Sequence, residues 1–141
     1  MVTKYQKRIS GPLLDRIDIH VEVPRVDYEK LSGDRVGESS KSIRGRVQAA
    51  RDKQSQRFAN NESGIICNAD MRVGEIRQFC RLQDEGQSLM RAAMSQMQLS
   101  ARAYHRILKL ARTIADLAAS EEIESIHLAE ALQYRPKLML N

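Results

Sequence analysis

Two arginines have the chemistry and the setting to bind a phosphate group. Arg102 follows Ser100, a residue that can cap a helix, so its guanidinium belongs to the first helical turn. Backbone N–H groups are unpaired there and the helix dipole is positive, so an anion is favoured at this end. A guanidinium adds a planar fork that matches phosphate oxygens. The alternative is that Arg102 belongs to an ordinary solvated face.

Arg16 is the second candidate. It lies between a predicted helical turn over 13–16 and a predicted strand over 17–23. An arginine held by rigid elements on both sides can reach a phosphate at a subunit boundary with little ordering cost. The alternative is an exposed pairing with Asp15 or Asp18, which would contribute little stability. The residues themselves leave these two interpretations open.

A third cationic feature is a predicted helix over 41–58, where six basic residues oppose a single acid, Asp52. These side chains could contact a nucleic-acid backbone, an acidic neighbouring subunit, or only water. The basic residues are Lys41, Arg44, Arg46, Arg51, Lys53 and Arg57. Apolar residues of the same helix fall on one side of it, and they are Ile43, Val47, Ala50 and Phe58.

The elements that must position these side chains are mainly helices. Apolar and polar residues alternate strictly over 17–23, which predicts a half-buried strand that Pro24 ends. A lone strand cannot satisfy its backbone, so we expect it to belong to a sheet encoded before this chain. Helical patterns follow, and a short helix is also predicted before the strand. The predicted helices cover 4–9, 27–31, 41–58, 72–82, 84–97, 100–118 and 125–134.

The helix over 100–118 has the clearest amphipathic pattern. Its apolar stripe comprises Tyr104, Ile107, Leu108, Ala111, Ile114, Ala115 and Ala118. A helical wheel places a polar set opposite that stripe, namely Arg102, Arg106, Lys109, Thr113 and Asp116. The sequence therefore predicts a small helical bundle hung from the edge of a sheet.

Composition indicates a soluble globular protein of one domain. The chain has 141 residues, of which 42% are hydrophobic and 29% charged. No apolar run approaches the length needed to span a bilayer and no signal pattern is present, so a cytoplasmic location is the default. The net charge of +5 arises within residues 1–60, where 13 basic residues face 8 acidic ones. The remainder is balanced, which argues against a generally basic, nucleic-acid-binding surface.

Several kinds of site are not suggested by the sequence. Two cysteines are too few for a disulfide framework, and three scattered histidines do not make a metal site. No Gly-x-x-x-x-Gly-Lys-Ser/Thr loop is present to hold phosphates, and no apolar strand ends in paired acids suited to magnesium. No Ser/His/Asp or Cys/His arrangement is evident. We therefore expect no catalysis from this chain alone.

Three blocks of sequence resemble AAA+ magnesium-chelatase-like proteins of the ComM/YifB type. They read YQKRISGPLLDRIDIHVEVP at 5–24, LSARAYHRILKLARTIADLA at 99–118 and HLAEALQYRP at 127–136. The resemblance spans nearly the whole chain and is weakest over 32–42 and 62–66. It implies that 1–26 ends an AAA+ core and that 27–141 forms its C-terminal helical lid domain, with the Walker motifs lying earlier in a parent protein.

The resemblance also implies site residues, cofactors and partners. Arg16 corresponds to the arginine finger, which acts in trans on the ATP of a neighbouring subunit. Arg102 corresponds to the sensor-2 arginine, which reads the γ-phosphate. ATP and magnesium would be bound by the parent protein, which would form a homo-hexameric ring and act as a DNA helicase in branch migration. The alternatives are a subunit of a magnesium chelatase and a stand-alone helical nucleic-acid-binding module.

Overall fold

The computed structural model describes residues 8–135, and these fold into a bundle of helices. The α-helices are α1 (Gly11–Arg16), α2 (Tyr28–Ser32), α3 (Ser40–Phe58), α4 (Val73–Phe79), α5 (Asp84–Gln96), α6 (Ala101–Leu117) and α7 (Ser125–Gln133), with a 3₁₀ turn at Asn68–Asp70. The mainly α class predicted from the sequence is confirmed, and every predicted helix from 27 onward is present. Residues 4–7 of the predicted helix over 4–9 lie outside the described residues, and Arg8 and Ile9 are not helical.

Helix α6 is the centre of the bundle. It packs against α3, α4, α7 and the 3₁₀ turn, while α5 packs against α7. Its predicted apolar stripe supplies much of the core, because Ile107, Leu108, Ala111 and Ala115 are all buried. Apolar side chains from the surrounding helices and loops complete the core, namely Phe58, Ile65, Met71, Ile76, Cys80, Met90, Ile123, Leu128 and Ala131. Burial of this apolar surface is the main force that holds the helices together.

Serine caps fix the starts of the two long helices. The Ser100 hydroxyl oxygen accepts a hydrogen bond from the backbone N–H of Ala103 at 3.1 Å, as the sequence predicted for α6. The Ser39 hydroxyl oxygen likewise accepts from the N–H of Ser42 at 3.2 Å at the start of α3. Each bond satisfies one of the amide groups that an α-helix leaves unpaired at its N-terminus.

The strand predicted over 17–23 is not formed within the part of the chain that the structure describes. Residues 17–27 belong to no helix or strand, and the backbone N–H of His20 instead donates to the Tyr134 carbonyl at 2.9 Å. The apolar residues of the alternation are exposed, with Val21 at 66% and Val23 at 84%. A strand needs a partner for its backbone groups, and the described residues offer none. Pairing with a sheet of the AAA+ core stays a prediction.

The helical wheel placed Asp116 on the polar side of α6, opposite the apolar stripe. This prediction was wrong, because Asp116 is 2% exposed and lies inside the bundle. Its carboxylate accepts two hydrogen bonds from Arg57 of α3, at 2.6 and 2.8 Å, and one from Asn68 of the 3₁₀ turn at 2.8 Å. Arg112, also buried, lies 3.2 Å from the same carboxylate. We call Asp116, Arg57, Asn68 and Arg112 the Asp116 hub. It joins three elements through charged hydrogen bonds.

The hub is extended by neighbouring polar groups. The Gln54 side chain accepts from the N–H of Asn68 at 2.9 Å, and the Thr113 hydroxyl accepts from the Asn68 side chain at 3.1 Å. Arg112 donates to the carbonyls of Ser120 and Glu121 at 2.9 and 3.0 Å, where the chain leaves α6. Ala119 has a positive φ of 58° at that point, a geometry typical of a helix C-terminus. The hub therefore also fixes the end of α6.

Ile43 and Val47, which the sequence places on the same side of α3 as Ala50 and Phe58, are less buried than those two residues. They are 42% and 44% exposed, whereas Ala50 and Phe58 are buried. Only the C-terminal half of α3 lies against the core, because that half carries Gln54 and Arg57 into the Asp116 hub. Among the described helices, none is long and apolar enough to cross a lipid bilayer.

A second polar contact, which we call the Asp18–Arg106 latch, joins the N-terminal segment to α6. Arg106 donates to both carboxylate oxygens of Asp18 at 2.7 and 2.9 Å, and it also donates to the carbonyl of Arg16. The two side chains are 32% and 44% exposed, so the pair is partly solvated. Together with the bond from His20 to Tyr134, the latch holds residues 16–20 against the bundle.

We predict that Asp116→Asn lowers the free energy of unfolding by about 3 kcal/mol or more, because it leaves two guanidinium groups without their charged partner. Urea denaturation followed by far-UV circular dichroism measures this change. Asp52→Asn is the matched control, since Asp52 lies on the exposed face of α3 and its carboxylate bonds only Gln48 in the described residues. A cost for Asp116→Asn no larger than that of the control would contradict the assigned role.

The pH dependence gives an independent check of the same prediction. Burial raises the pKa of Asp116, but the hydrogen bonds from Arg57 and Asn68 and the charges of Arg57 and Arg112 outweigh it, so the pKa lies below its ordinary value. The stabilisation is therefore present above the unfolded-state pKa of about 4 and is lost as pH falls through the lower folded-state pKa. The difference between wild type and Asp116→Asn should shrink below about pH 4.

We predict that Arg106→Ala loosens the N-terminal segment without unfolding the bundle. The lost pair is partly exposed and is worth up to about 1 kcal/mol, which corresponds to exchange of the His20 amide up to about fivefold faster. Hydrogen exchange read by NMR measures the rate. Arg102→Ala, on the same helix and without an ion pair in the described residues, should leave that rate unchanged. Equal rates in both variants would show that the latch does not hold the segment.

Candidate functional site

Arg16 ends α1, and its side chain is exposed. Its backbone is held on both sides, because its carbonyl accepts from Arg106 while the N–H of Ile17 donates to the Leu14 carbonyl at 3.2 Å. Neither Asp15 nor Asp18 pairs with Arg16, since Asp15 faces Arg135 and Asp18 faces Arg106. Within residues 8–135 the Arg16 guanidinium makes no ion pair, so the pairing interpretation is not supported.

Arg102 is the second residue of α6 and is also exposed. The Ser100 cap fixes the first turn of the helix beneath it. Across the described part of the chain, no carboxylate lies within ion-pairing distance of its guanidinium. The backbone of Arg102 is held by the helix, and its guanidinium charge is not neutralised by a carboxylate of the described residues. Such a residue is suited to bind an anion supplied by another part of the protein.

The structure brings the two arginines to the same end of the molecule. The Ser100 hydroxyl donates to the carboxylate of Asp15 at 3.4 Å, which joins the cap of α6 to the residue that precedes Arg16. Below this contact, the Asp18–Arg106 latch joins the next turn of α6 to the residues that follow Arg16. The backbones that carry the two arginines are therefore joined by Asp15, Ser100, Asp18 and Arg106, which we call the frame. The sequence could not show this, because 85 residues separate Asp15 from Ser100.

Arg135 is a site residue that the sequence reading missed. It is only 5% exposed, and it donates to the Asp15 carbonyl at 3.2 Å and faces the Asp15 carboxylate at 3.8 Å. Burial lowers the pKa of Arg135, and the charges of Asp15 and Asp18 oppose that shift. The pattern of the last helix gave no signal that this charged residue would turn inward. Through these contacts Arg135 joins the end of the described chain to Asp15, the residue before Arg16.

Two buried nitrogen atoms near this frame have no hydrogen-bond partner in the described residues. They are Nε2 of His20 and one terminal nitrogen of Arg135. The other ring nitrogen of His20 bonds the Tyr134 carbonyl at 3.1 Å, so both side chains are already fixed. Buried polar groups in folded proteins are normally satisfied. Water or residues outside 8–135 can complete the hydrogen bonding of these two atoms.

Half of the basic residues on α3 already have internal partners. Arg57 belongs to the Asp116 hub, Arg46 pairs with Glu38 at 2.6 Å, and Lys53 pairs with Glu121 at 3.2 Å. The hydrogen bond from Ser42 and the pairing with Arg46 lower the pKa of Glu38. Fewer charges are left for a nucleic-acid backbone than the sequence suggested. This weakens the interpretation of α3 as a stand-alone nucleic-acid-binding element.

The arrangement supplies positive charge for a phosphate but not a complete nucleotide site. Arg16 and Arg102 are the candidate phosphate-contacting residues. No cluster of three or more His, Cys, Asp or Glu side chains suited to a metal occurs among residues 8–135. The sequence contains no phosphate-binding loop. Chemically, the site can stabilise negative charge on a ligand that other residues bind.

Two family models match the chain. The model described as "Magnesium chelatase, subunit ChlI C-terminal" matches residues 37–135, and the one described as "Magnesium chelatase, subunit ChlI" matches residues 1–31. The first covers α3 to α7 and therefore the whole helical bundle. The second covers Arg16 and the segment that the latch holds.

Curated relatives match over nearly the whole chain. Competence protein ComM of Haemophilus influenzae is 43% identical over 141 residues, which is 99% of this chain and 26% of that protein. YifB of Escherichia coli is 43% identical over 133 residues, or 94% of this chain and 25% of that protein. An uncharacterized protein of Mycobacterium bovis is 33% identical over 132 residues, or 94% and 26%. The chain spans about a quarter of the length of these relatives.

The matches agree with the blocks that carry the resemblance, at 5–24, 99–118 and 127–136. One family model contains the candidate Arg16 and the other contains the candidate Arg102, so the frame described above joins the two matched regions. The chain belongs to the magnesium-chelatase-like family, and within it to proteins of the ComM/YifB type.

Proposed function

We propose that this chain is the subunit-contact and lid region of a larger AAA+ ATPase, and that it supplies Arg16 and Arg102 to an ATP molecule held by a neighbouring subunit. The observation that carries the proposal is the shared frame of the two arginines. Both are exposed, neither is ion-paired in the described residues, and bonds of Asp15, Asp18, Ser100 and Arg106 fix both backbones.

The proposed chemistry is stabilisation of charge during ATP hydrolysis. Negative charge spreads over the γ-phosphate oxygens in the transition state, and guanidinium groups placed against those oxygens lower the barrier. Arg16 would act as the arginine finger and Arg102 as sensor 2. The residues of this chain fit the phosphate end of the nucleotide, whereas they include no ligand set for magnesium, which the parent protein would have to bind elsewhere.

The frame also bears on which subunit Arg102 serves. An arginine finger acts on the nucleotide of the next subunit. Because the cap of Arg102's helix is bonded to the residue beside Arg16, the two arginines lie on neighbouring backbone segments at the N-terminal end of α6. We therefore propose that Arg102 acts in trans on the same nucleotide as Arg16. The domain division proposed from the sequence lies between residues 26 and 27. Arg16 then belongs to the AAA+ core and Arg102 to the lid domain, and the Asp18–Arg106 latch joins the two domains.

The partners follow from this proposal. A nucleotide shared head to tail between subunits is compatible with a closed ring, and we propose a homo-hexamer with branched DNA as its substrate, in the manner of a helicase. The name of the Haemophilus relative, a competence protein, supports DNA as the partner. A magnesium-chelatase subunit is the second candidate, because both matching family models carry that description. The ATPase rate should rise with branched DNA under the first proposal and with a porphyrin-binding partner under the second.

We predict that Arg16→Ala in the full-length protein leaves ATP binding nearly intact and lowers hydrolysis by about 10³- to 10⁵-fold. Steady-state ATPase assays and nucleotide titration measure the two effects. Mixing this variant with a subunit that cannot bind ATP should restore part of the turnover, because the intact finger then comes from the second subunit. No recovery in mixtures that still form rings would remove Arg16 from this role.

We predict that Arg102→Ala impairs hydrolysis while the helical content, read by circular dichroism, stays unchanged. Mixing Arg102→Ala with Arg16→Ala tests the assignment in trans. If one subunit supplies both arginines to its neighbour, every interface in this mixture lacks one of them, so activity should stay low. Recovery would instead show that Arg102 serves its own subunit. Arg102→Ala mixed with the subunit that cannot bind ATP should recover activity.

A further inference from the structure

A groove of about 710 Å³ lies between α4, α5 and α6. Ala101, Tyr104, His105 and Leu108 contribute the α6 side, so the groove opens on a different face of that helix from Arg102 and the latch. Its floor is apolar and rich in methionine. Met90 and Leu108 are buried at 3% exposure each, and Met94 and Tyr104 are half-buried.

The sides of the groove are cationic. Arg77 and Arg81 on one side and Arg91 on the other are exposed, and His105 lies beside Tyr104. Among residues 8–135, no acidic side chain lines the groove. None of the three arginines has a carboxylate partner in the portion of the chain covered by the structure, and the only bond of the set runs from Arg81 to the Arg77 carbonyl at 3.4 Å. The groove thus combines an apolar floor with uncompensated positive charge at its edges.

We propose that this groove binds an acidic amphipathic α-helix of a partner protein. Apolar side chains repeated along one face of such a helix would lie on Met90, Met94 and Leu108, and methionine side chains adapt to varied shapes. Carboxylates on the flanks of that face would pair with Arg77, Arg81 and Arg91, whose planar guanidinium groups match them. The charges lie at the edge, where they select the partner and speed its association.

The observations favour a helix over single-stranded nucleic acid. Bases bind to exposed aromatic platforms, and among residues 8–135 the only aromatic rings that line the groove are those of Tyr104 and His105. These two rings pack against each other in an edge-type contact, with the centroids 5.3 Å apart and the planes at 66°. The floor of methionine and leucine buries apolar side chains, and the amide of Gln87 in the groove lining already donates to the Leu82 carbonyl at 3.0 Å.

The test uses a synthetic helical peptide with leucine on one face and glutamate on the rest. A peptide of the same composition in shuffled order, without the apolar face, is the matched control, and oligothymidylate is the competing probe. NMR of methyl-labelled methionine reports the site. The signals of Met90 and Met94 should shift on titration, whereas Met71, buried in the core at 2% exposure, should stay in place.

Charge reversal provides the second measurement. The double variant Arg81→Glu/Arg91→Glu should weaken peptide binding by about tenfold or more. Arg44→Glu/Arg51→Glu, on the exposed face of α3, changes the net charge equally and should change the affinity by less than about twofold. Circular dichroism checks that both variants fold. Equal weakening in the two variants would show non-specific attraction and would overturn the proposal.

Three further results would also overturn it. The shuffled peptide could bind as tightly, oligothymidylate could move the Met90 and Met94 signals where the peptide does not, or these signals could shift with protein concentration alone, which would indicate a second copy as the occupant. The full-length protein should show the same methionine shifts; their absence would mean that other parts of that protein cover the groove. The ATPase predictions for Arg16 and Arg102 are independent of these outcomes.

Discussion

The carboxylate of Asp116 lies where α3, α6 and the 3₁₀ turn meet, and it is the only anion within hydrogen-bonding distance of Arg57 in the described residues. Two guanidinium groups and one amide converge on it, which compensates for the cost of removing all three charges from water. The hub defines the register of α3 against α6. Apolar packing alone would permit small slides between these helices, because such contacts have little directional preference.

Two of the long-range polar contacts of α6 have different physical characters. The Asp116 hub is buried near its C-terminal end and can open only by unfolding part of the bundle. The Asp18–Arg106 latch near its N-terminal end is partly solvated, so its ions can exchange protein partners for water at small cost. Helix α6 is thus firmly integrated into the bundle and more lightly attached to the segment that carries Arg16. The boundary between the two matched family regions, between residues 31 and 37, follows the same division.

The sequence was sufficient to predict most of the helices, the Ser100 cap and the exposure of Arg102, because these depend on local pattern. It could not place Asp116, since its angular position on the wheel is within about 40° of exposed Arg102 and only the arrival of Arg57 from a distant helix makes burial favourable. Ile43 and Val47 stay partly exposed because the groove that they line together with Ile114 and Ile126 is open. The predicted strand needs a neighbouring strand, which is a non-local requirement.

The segment that precedes the bundle meets the end of the described chain at one place. Residues 15–20 and 134–135 contact each other through Asp15, His20, Tyr134 and Arg135, all at the end of α6 that carries Arg102. Helix α6 has 17 residues and extends about 25 Å from that point. These contacts form a pivot, and the bundle extends from it along α6. A rotation of about 10° at the pivot would displace the far end of α6, with the Asp116 hub, by about 4 Å.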